Sequence, residues 1–167
     1  MVQGVATSIG YLLLLVAANI ASAHWPPLSF GGLLVPAGTV FAGACLTARD
    51  LLHEALGPPG VVVGILAGTA VSAALASPRI ALACVVAFTV SEALDTLVYA
   101  RLRHRGRLGA VAGSNAAGVV VDSLLFVPLA FGGPAAVPGQ IAGKAVATLL
   151  SLTVLYATGA ARRAGRP

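Results

Sequence analysis

The chain has 167 residues, of which 58% are hydrophobic and only 9% charged. A soluble domain carries about 25% charged residues, so this composition cannot cover a water-facing surface of that size, and lipid is the solvent. The net charge of +5 comes from basic residues that mostly sit between and after apolar runs, where they report membrane orientation and not nucleic-acid binding.

Six spans of about 20 residues, joined by short turns, use up the length. The expected fold is therefore an all-α polytopic membrane protein, a bundle of about six transmembrane helices forming one domain over residues 1–167, with no room for an ATPase segment. The first helix is expected over 5–23. Its end, Ala21-Ser22-Ala23, has the small residues of a signal-peptidase site, but Met1 to Thr7 carry no positive charge, which argues for a retained span. Trp25-Pro26-Pro27 turns the chain at the interface. A second helix is expected over 31–48, running into Arg49-Asp50, with Leu51 to Leu56 as a short helical continuation that Gly57-Pro58-Pro59 stops.

The third helix, expected over 60–76, repeats Gly60, Gly64, Gly68, Ser72 and Ala76 every four residues. Such a ladder leaves one side nearly flat, so that a neighbouring backbone can approach closely. Ser77-Pro78-Arg79 turns the chain into a fourth helix over 80–100. A basic loop of Arg101, Arg103, His104, Arg105 and Arg107 leads to a fifth helix over 109–131. After Gly132-Gly133-Pro134 comes a sixth over 139–160, with a second ladder of Gly139, Gly143, Ala147 and Ser151 and a tail of Arg162, Arg163 and Arg166. Cys45 and Cys84 lie inside apolar runs and read as small core residues, not as a disulfide or metal pair. The two halves are too dissimilar for an inverted repeat.

Six spans put both termini, the turn after helix 2 and the helix 4–5 loop on one side. That side holds eight of the ten basic residues, while Arg79 lies on the other and Lys144 within a span. Positive residues stay cytoplasmic, so both termini are expected inside, in a multi-pass protein of the cytoplasmic membrane.

Of the five acidic residues, Glu92, Asp95 and Asp122 fall within expected spans. A charge at bilayer depth costs about 2.5–3.5 kcal/mol on insertion scales, so each needs a partner or a purpose. Glu92, Asp95 and Tyr99 stack on one helical face beside Ser91, and Asn115 and Asp122, two turns apart, share another. Gln140, Lys144, Thr148 and Ser151 form a polar stripe on the last helix, and Asn19 adds an amide near the end of the first. Lys144 is the clear intramembrane cation. These groups point to a central polar cavity; the alternative is a buried ion-pair network, Lys144 with Asp122 or Glu92, that only sets helix register. Arg49-Asp50 reads as an interfacial pair, and His53 and Glu54 as solvated. The scattered histidines offer no metal site, and Gly113-Ser114-Asn115 has no histidine in a later helix to serve as base, so no enzyme, metal or cofactor is expected.

Several segments together resemble the VUT family of vitamin-uptake and queuosine-precursor transporters. They are Asn19 after the first apolar run, Arg49-Asp50 with Gly57 following, and Ser91-Glu92-Ala93-Leu94-Asp95 leading into Tyr99-Ala100-Arg101-Leu102-Arg103. Then come Ser114-Asn115, Val121-Asp122-Ser123-Leu124-Leu125-Phe126, Ala130-Phe131 and Lys144. The resemblance covers most of the chain from Asn19 to Ser151, although the loops here are short and the body is rich in Ala and Gly. It implies a six-helix carrier for 7-deazaguanine precursors of queuosine or related deazapurines. The residues expected to bind such a ligand are Glu92, Asp95, Asp122, Asn115, Lys144, Gln140, Asn19 and Asp50: one carboxylate accepts from the ring N–H and the amine, Asn115, Gln140 or Lys144 donates to the carbonyl or nitrile, and the small ladders of helices 3 and 6 offer an apolar slot. The alternatives are a substrate-binding membrane subunit of an ATP-driven vitamin uptake system and a non-transporting structural membrane protein. The driving force is open between proton coupling and facilitated diffusion. The ladders suit packing within one chain or between copies in a homo-oligomer.

Overall fold

Glycine and proline interrupt the apolar runs, and the elements follow from where they do. The computed structural model describes residues 2–102, 104 and 107–164. Helix α1 spans Val2–His24, α2 Thr39–Leu75, α3 Pro78–Leu102, α4 Arg107–Phe131 and α5 Val137–Ala164. Between α1 and α2, strands β1 (Leu28–Phe30) and β2 (Leu33–Val35) pair antiparallel. Gly31 and Gly32 join them with φ of 54° and 82°, the pair of positive angles that a tight two-residue hairpin turn requires. This corrects the expected start of helix 2: residues 28–35 form the hairpin, and the helix begins at Thr39.

Helix α2 is not one rod. Gly57, with φ 69° and ψ −174°, separates two helical arms, 39–56 and 58–75. On a straight helix, residues 52 and 64 would stand about 18 Å apart at 1.5 Å per residue. A Cβ built on Gly64 would instead lie 3.1 Å from the Leu52 side chain, so the chain doubles back at Gly57-Pro58-Pro59. Six helical segments result. Four stretches, Gly4–His24, Leu51–Leu75, Pro78–Leu102 and Gly113–Phe131, are long and apolar enough to cross a bilayer. The protein is an all-α, multi-pass membrane protein, with α5 and the first arm of α2 packed among these four.

The second arm of α2 lies parallel to α1, and its small residues make that contact. A Cβ on Gly64 would meet the Tyr11 ring at 3.2 Å, and one on Gly68 would meet Leu15 at 2.3 Å. At the next rung, Asn19 Nδ2 donates to Ser72 Oγ at 2.9 Å, and both residues are buried. The second ladder is occupied too. A Cβ on Gly139 would lie 2.1 Å from the Leu34 carbonyl oxygen, one on Gly143 would meet Thr39, and Ala147 rests on Gly43. The ladders are thus filled by α1, β2 and α2, which removes them as a slot for a ligand ring.

Helices α3 and α4 form the most extensive helix pair, with Ile80, Ala83 and Ala87 against Phe126, Val127 and Ala130. Arg79 Nε closes one end of this pair by donating to the Leu129 carbonyl at 2.9 Å. A second cluster joins Tyr11, Leu15, Cys45, Leu52 and Val61, and Cys84 packs against both. Val63, Leu66, Leu82, Leu97 and Leu149 point outward, as lipid-facing side chains do. Of the expected basic cluster, Arg103, Arg105 and Arg166 lie outside the described residues.

Replacing Gly68 or Gly64 with leucine is expected to force α1 away from α2 and to cost about 1–3 kcal/mol or more by overpacking. Leu66→Ala, at a position 61% exposed, is expected to change little. Thermal melting of the purified variants checks this: glycine variants that melt like the wild type would show that the ladder tolerates bulk.

Candidate functional site

A charged group placed among apolar helices must be paired, and the pairing here draws four helical segments together. Lys144 of α5 donates from Nζ to Oδ2 of Asp122 on α4; the two side chains are 6% and 15% exposed. The same ammonium lies 5.9 Å from the centre of the Phe126 ring, which offers its negative face. Arg49, on the first arm of α2, donates from Nη1 to Oε2 of Glu92 on α3. Thr148 Oγ1 donates to the Gly43 carbonyl at 3.2 Å, tying α5 to α2 beside the site.

These pairs border a cavity of about 220 Å³ that Arg49, Glu92, Asp95, Asn115, Asp122 and Lys144 line together. Phe88, Leu46 and Val119 supply apolar wall. Gly118 of α4 faces Asp95 of α3, where a Cβ would stand in ordinary contact, 3.7 Å from that of Asp95. Toward the β-hairpin lies a second, smaller cavity of about 50 Å³, whose polar lining includes Tyr11, Asn19, Ser22 and Gln140. Gln140 is 2% exposed, and its Oε1 accepts from Thr39 Oγ1 at 2.7 Å. Leu46, Phe88, Asp122 and Lys144 line both cavities.

Of the residues singled out from the sequence, the structure brings Glu92, Asp95, Asn115, Asp122 and Lys144 to the wide cavity. Asn115 is exposed at its rim. Asn19 and Gln140 line the small cavity instead, on the far side of the Asp122–Lys144 pair. The Asp50 side chain lies outside the described residues. Arg49, expected to form an interfacial pair with Asp50, meets Glu92 on another helix. Thr47 and Phe88 were not singled out, because an apolar ring and a lone hydroxyl in an apolar run carry no signal of their own. Glu54 and His53 are exposed, as expected.

A cavity lined by charged and polar residues thus lies inside the apolar helical bundle of a multi-pass membrane protein. The family whose model carries the description Putative vitamin uptake transporter (Vut_1) matches residues 61–161, more than half of the chain. The chain belongs to this family of vitamin-uptake transporters. No curated protein and no solved structure matches it.

The burial of Lys144 makes its partner indispensable. Asp122→Asn alone is expected to lower stability by about 3–5 kcal/mol, because it strands a buried ammonium. Asp122→Asn combined with Lys144→Met should recover most of the loss. Melting temperatures of the three proteins check this, and a double variant no more stable than the single one would contradict it.

Proposed function

We propose that the protein imports a small purine-like metabolite, most specifically a 7-deazaguanine precursor of queuosine. The observation that carries this reading is the convergence of Glu92, Asp95, Asp122, Asn115, Arg49 and Lys144 on one cavity of about 220 Å³. That volume is below the roughly 300–1,000 Å³ of pockets for drug-sized ligands and suits a single bicyclic ring. A deazaguanine presents a ring N–H and an exocyclic amine side by side, and one carboxylate accepts both. Glu92 and Asp122 are already engaged by cations. Asp95 is the carboxylate best placed to receive that edge, with Asn115 and Lys144 as donors to a carbonyl or nitrile on the ligand. Phe88 offers the ring a stacking surface.

Both termini are proposed to face the cytoplasm, so that the wide cavity opens on the side where the basic residues gather. A reporter fused to Pro167 that is active only outside the membrane should stay silent, and a strong signal would reverse the orientation.

The substrate reading is tested by uptake into sealed liposomes, without ATPase subunits, using deazaguanines, guanine and unrelated vitamins. Deazaguanines are expected to exchange across the membrane. Asp95→Asn should weaken binding by roughly one to two decades, the worth of a charge-assisted hydrogen bond of about 1.5–3 kcal/mol, and Glu92→Gln should weaken it too by breaking the pair with Arg49 that shapes the cavity. Glu54→Gln should transport nearly normally. Wild-type transport in both cavity variants, with failure of Glu54→Gln, would move the site to the turn around Gly57.

A further inference from the structure

The two cavities share four lining residues, and those residues make a partition. Leu46 and Phe88 form its apolar part, and the Lys144–Asp122 pair its polar part. On one side is the wide cavity with Arg49, Glu92 and Asp95; on the other is the small one, which reaches Ser22 near the end of α1 and Gly38 before α2. Each chamber also holds a buried hydroxyl that, among the described residues, has no hydrogen-bond partner. Thr47 Oγ1, on a residue 6% exposed, lines the wide chamber, and the Tyr11 hydroxyl, on a residue 1% exposed, lines the small one. An unsatisfied buried hydroxyl is costly and is a place where a polar ligand gains by binding.

We propose that the two cavities are halves of one import path, and that the permeant opens the partition by taking the place of the Lys144–Asp122 pair. This rests on the reading of deazapurine import given above. The small chamber, at about 50 Å³, is well below the roughly 300–1,000 Å³ of pockets that hold small organic ligands, so a bicyclic ring cannot pass unless the partition yields. Drawing Lys144 away from Asp122 with nothing in between strands two ions that are almost out of solvent. A neutral ligand with two adjacent N–H donors and a carbonyl removes that obstacle, the donors going to Asp122 and the carbonyl accepting from Lys144. The partition then opens when a permeant of that pattern is present and stays shut otherwise. Selectivity and the prevention of leak reside in one ion pair.

Cys45 and Cys84, the only cysteines in the sequence, both line the small chamber and serve as reporters. A small membrane-impermeant methanethiosulfonate is applied to membrane vesicles from the wide-chamber side, and labelling rates are read by mass spectrometry. Without ligand, the wild type should label slowly, and Asp122→Asn with Lys144→Met should label at least tenfold faster. The exchanged pair, Asp122→Lys with Lys144→Asp, should restore protection, which separates an opened partition from a loosened fold. A deazaguanine should accelerate labelling of the wild type. Labelling of the neutral variant at the wild-type rate, or rapid labelling of the exchanged pair, overturns the partition. If uptake shows deazaguanine to be carried and yet it leaves wild-type labelling unchanged, displacement of the pair by the permeant is overturned. If uptake shows no deazaguanine transport, the substrate reading fails, and the ligand-free comparison still decides the partition.

Discussion

A lysine and an aspartate buried in the middle of an apolar bundle have to meet, and much of the arrangement follows from their meeting. The pair fixes α5 against α4. The close approach of α2 to α5 falls at the same level, because Gly43 leaves room where any Cβ would stand 2.9 Å from the Lys144 carbonyl oxygen. With that contact set, the first arm of α2 continues past the pair and delivers Arg49 to Glu92 on α3. Two ion pairs therefore hold four helical segments around one cavity. In lipid, where apolar contact gives no preference for a helix neighbour over an acyl chain, such polar contacts and close backbone approaches are what specify the assembly.

The remaining specificity lies in absent side chains. Gly64 and Gly68 admit the Tyr11 ring and Leu15, and Gly139 admits the backbone of β2. Polar rungs complete these seams: Asn19 with Ser72, and Thr39 with Gln140. Small residues bring the helices near, and hydrogen bonds then choose the register. The body is rich in Ala and Gly for this reason, and the bulky apolar residues that remain, such as Leu66 and Leu149, are spent on the lipid face.

Much of this layout can be read from the sequence. Apolar runs broken at Gly57-Pro58-Pro59, Ser77-Pro78 and Gly132-Gly133-Pro134 mark the helical segments, because breakers act locally. The wide cavity is legible for a different reason. Intramembrane carboxylates are rare and costly enough that Glu92, Asp95 and Asp122 point at one another before any geometry is known. The hairpin was hidden by its own composition. Leu28 to Val35 is apolar enough to pass for a helix start, and only Gly31-Gly32 between two short runs gives it away. The contact of Arg49 with Glu92 is not legible, because the two stand 43 residues apart and no periodicity connects them. The division of the polar residues between two chambers was out of reach for the same reason. It depends on how α1 and α5 rotate against the bundle, which helical spacing leaves undetermined.

The order in which the chain is made gives these long-range contacts a temporal side. Asn19 enters with the first helix, but its partner Ser72 lies 53 residues downstream. At about 5–20 residues per second, the ribosome delivers that partner roughly 3–10 s later. Thr39 waits longer still for Gln140, 101 residues on, and Asp122 the least for Lys144, 22 residues on. During each interval a lone polar group has no final mate, and the nascent helix must rest at the headgroup level, near the insertion machinery or against a temporary neighbour. The bundle is sealed late: α5 brings both Gln140 and Lys144, and until it arrives the earlier helices hold Thr39 and Asp122 without them.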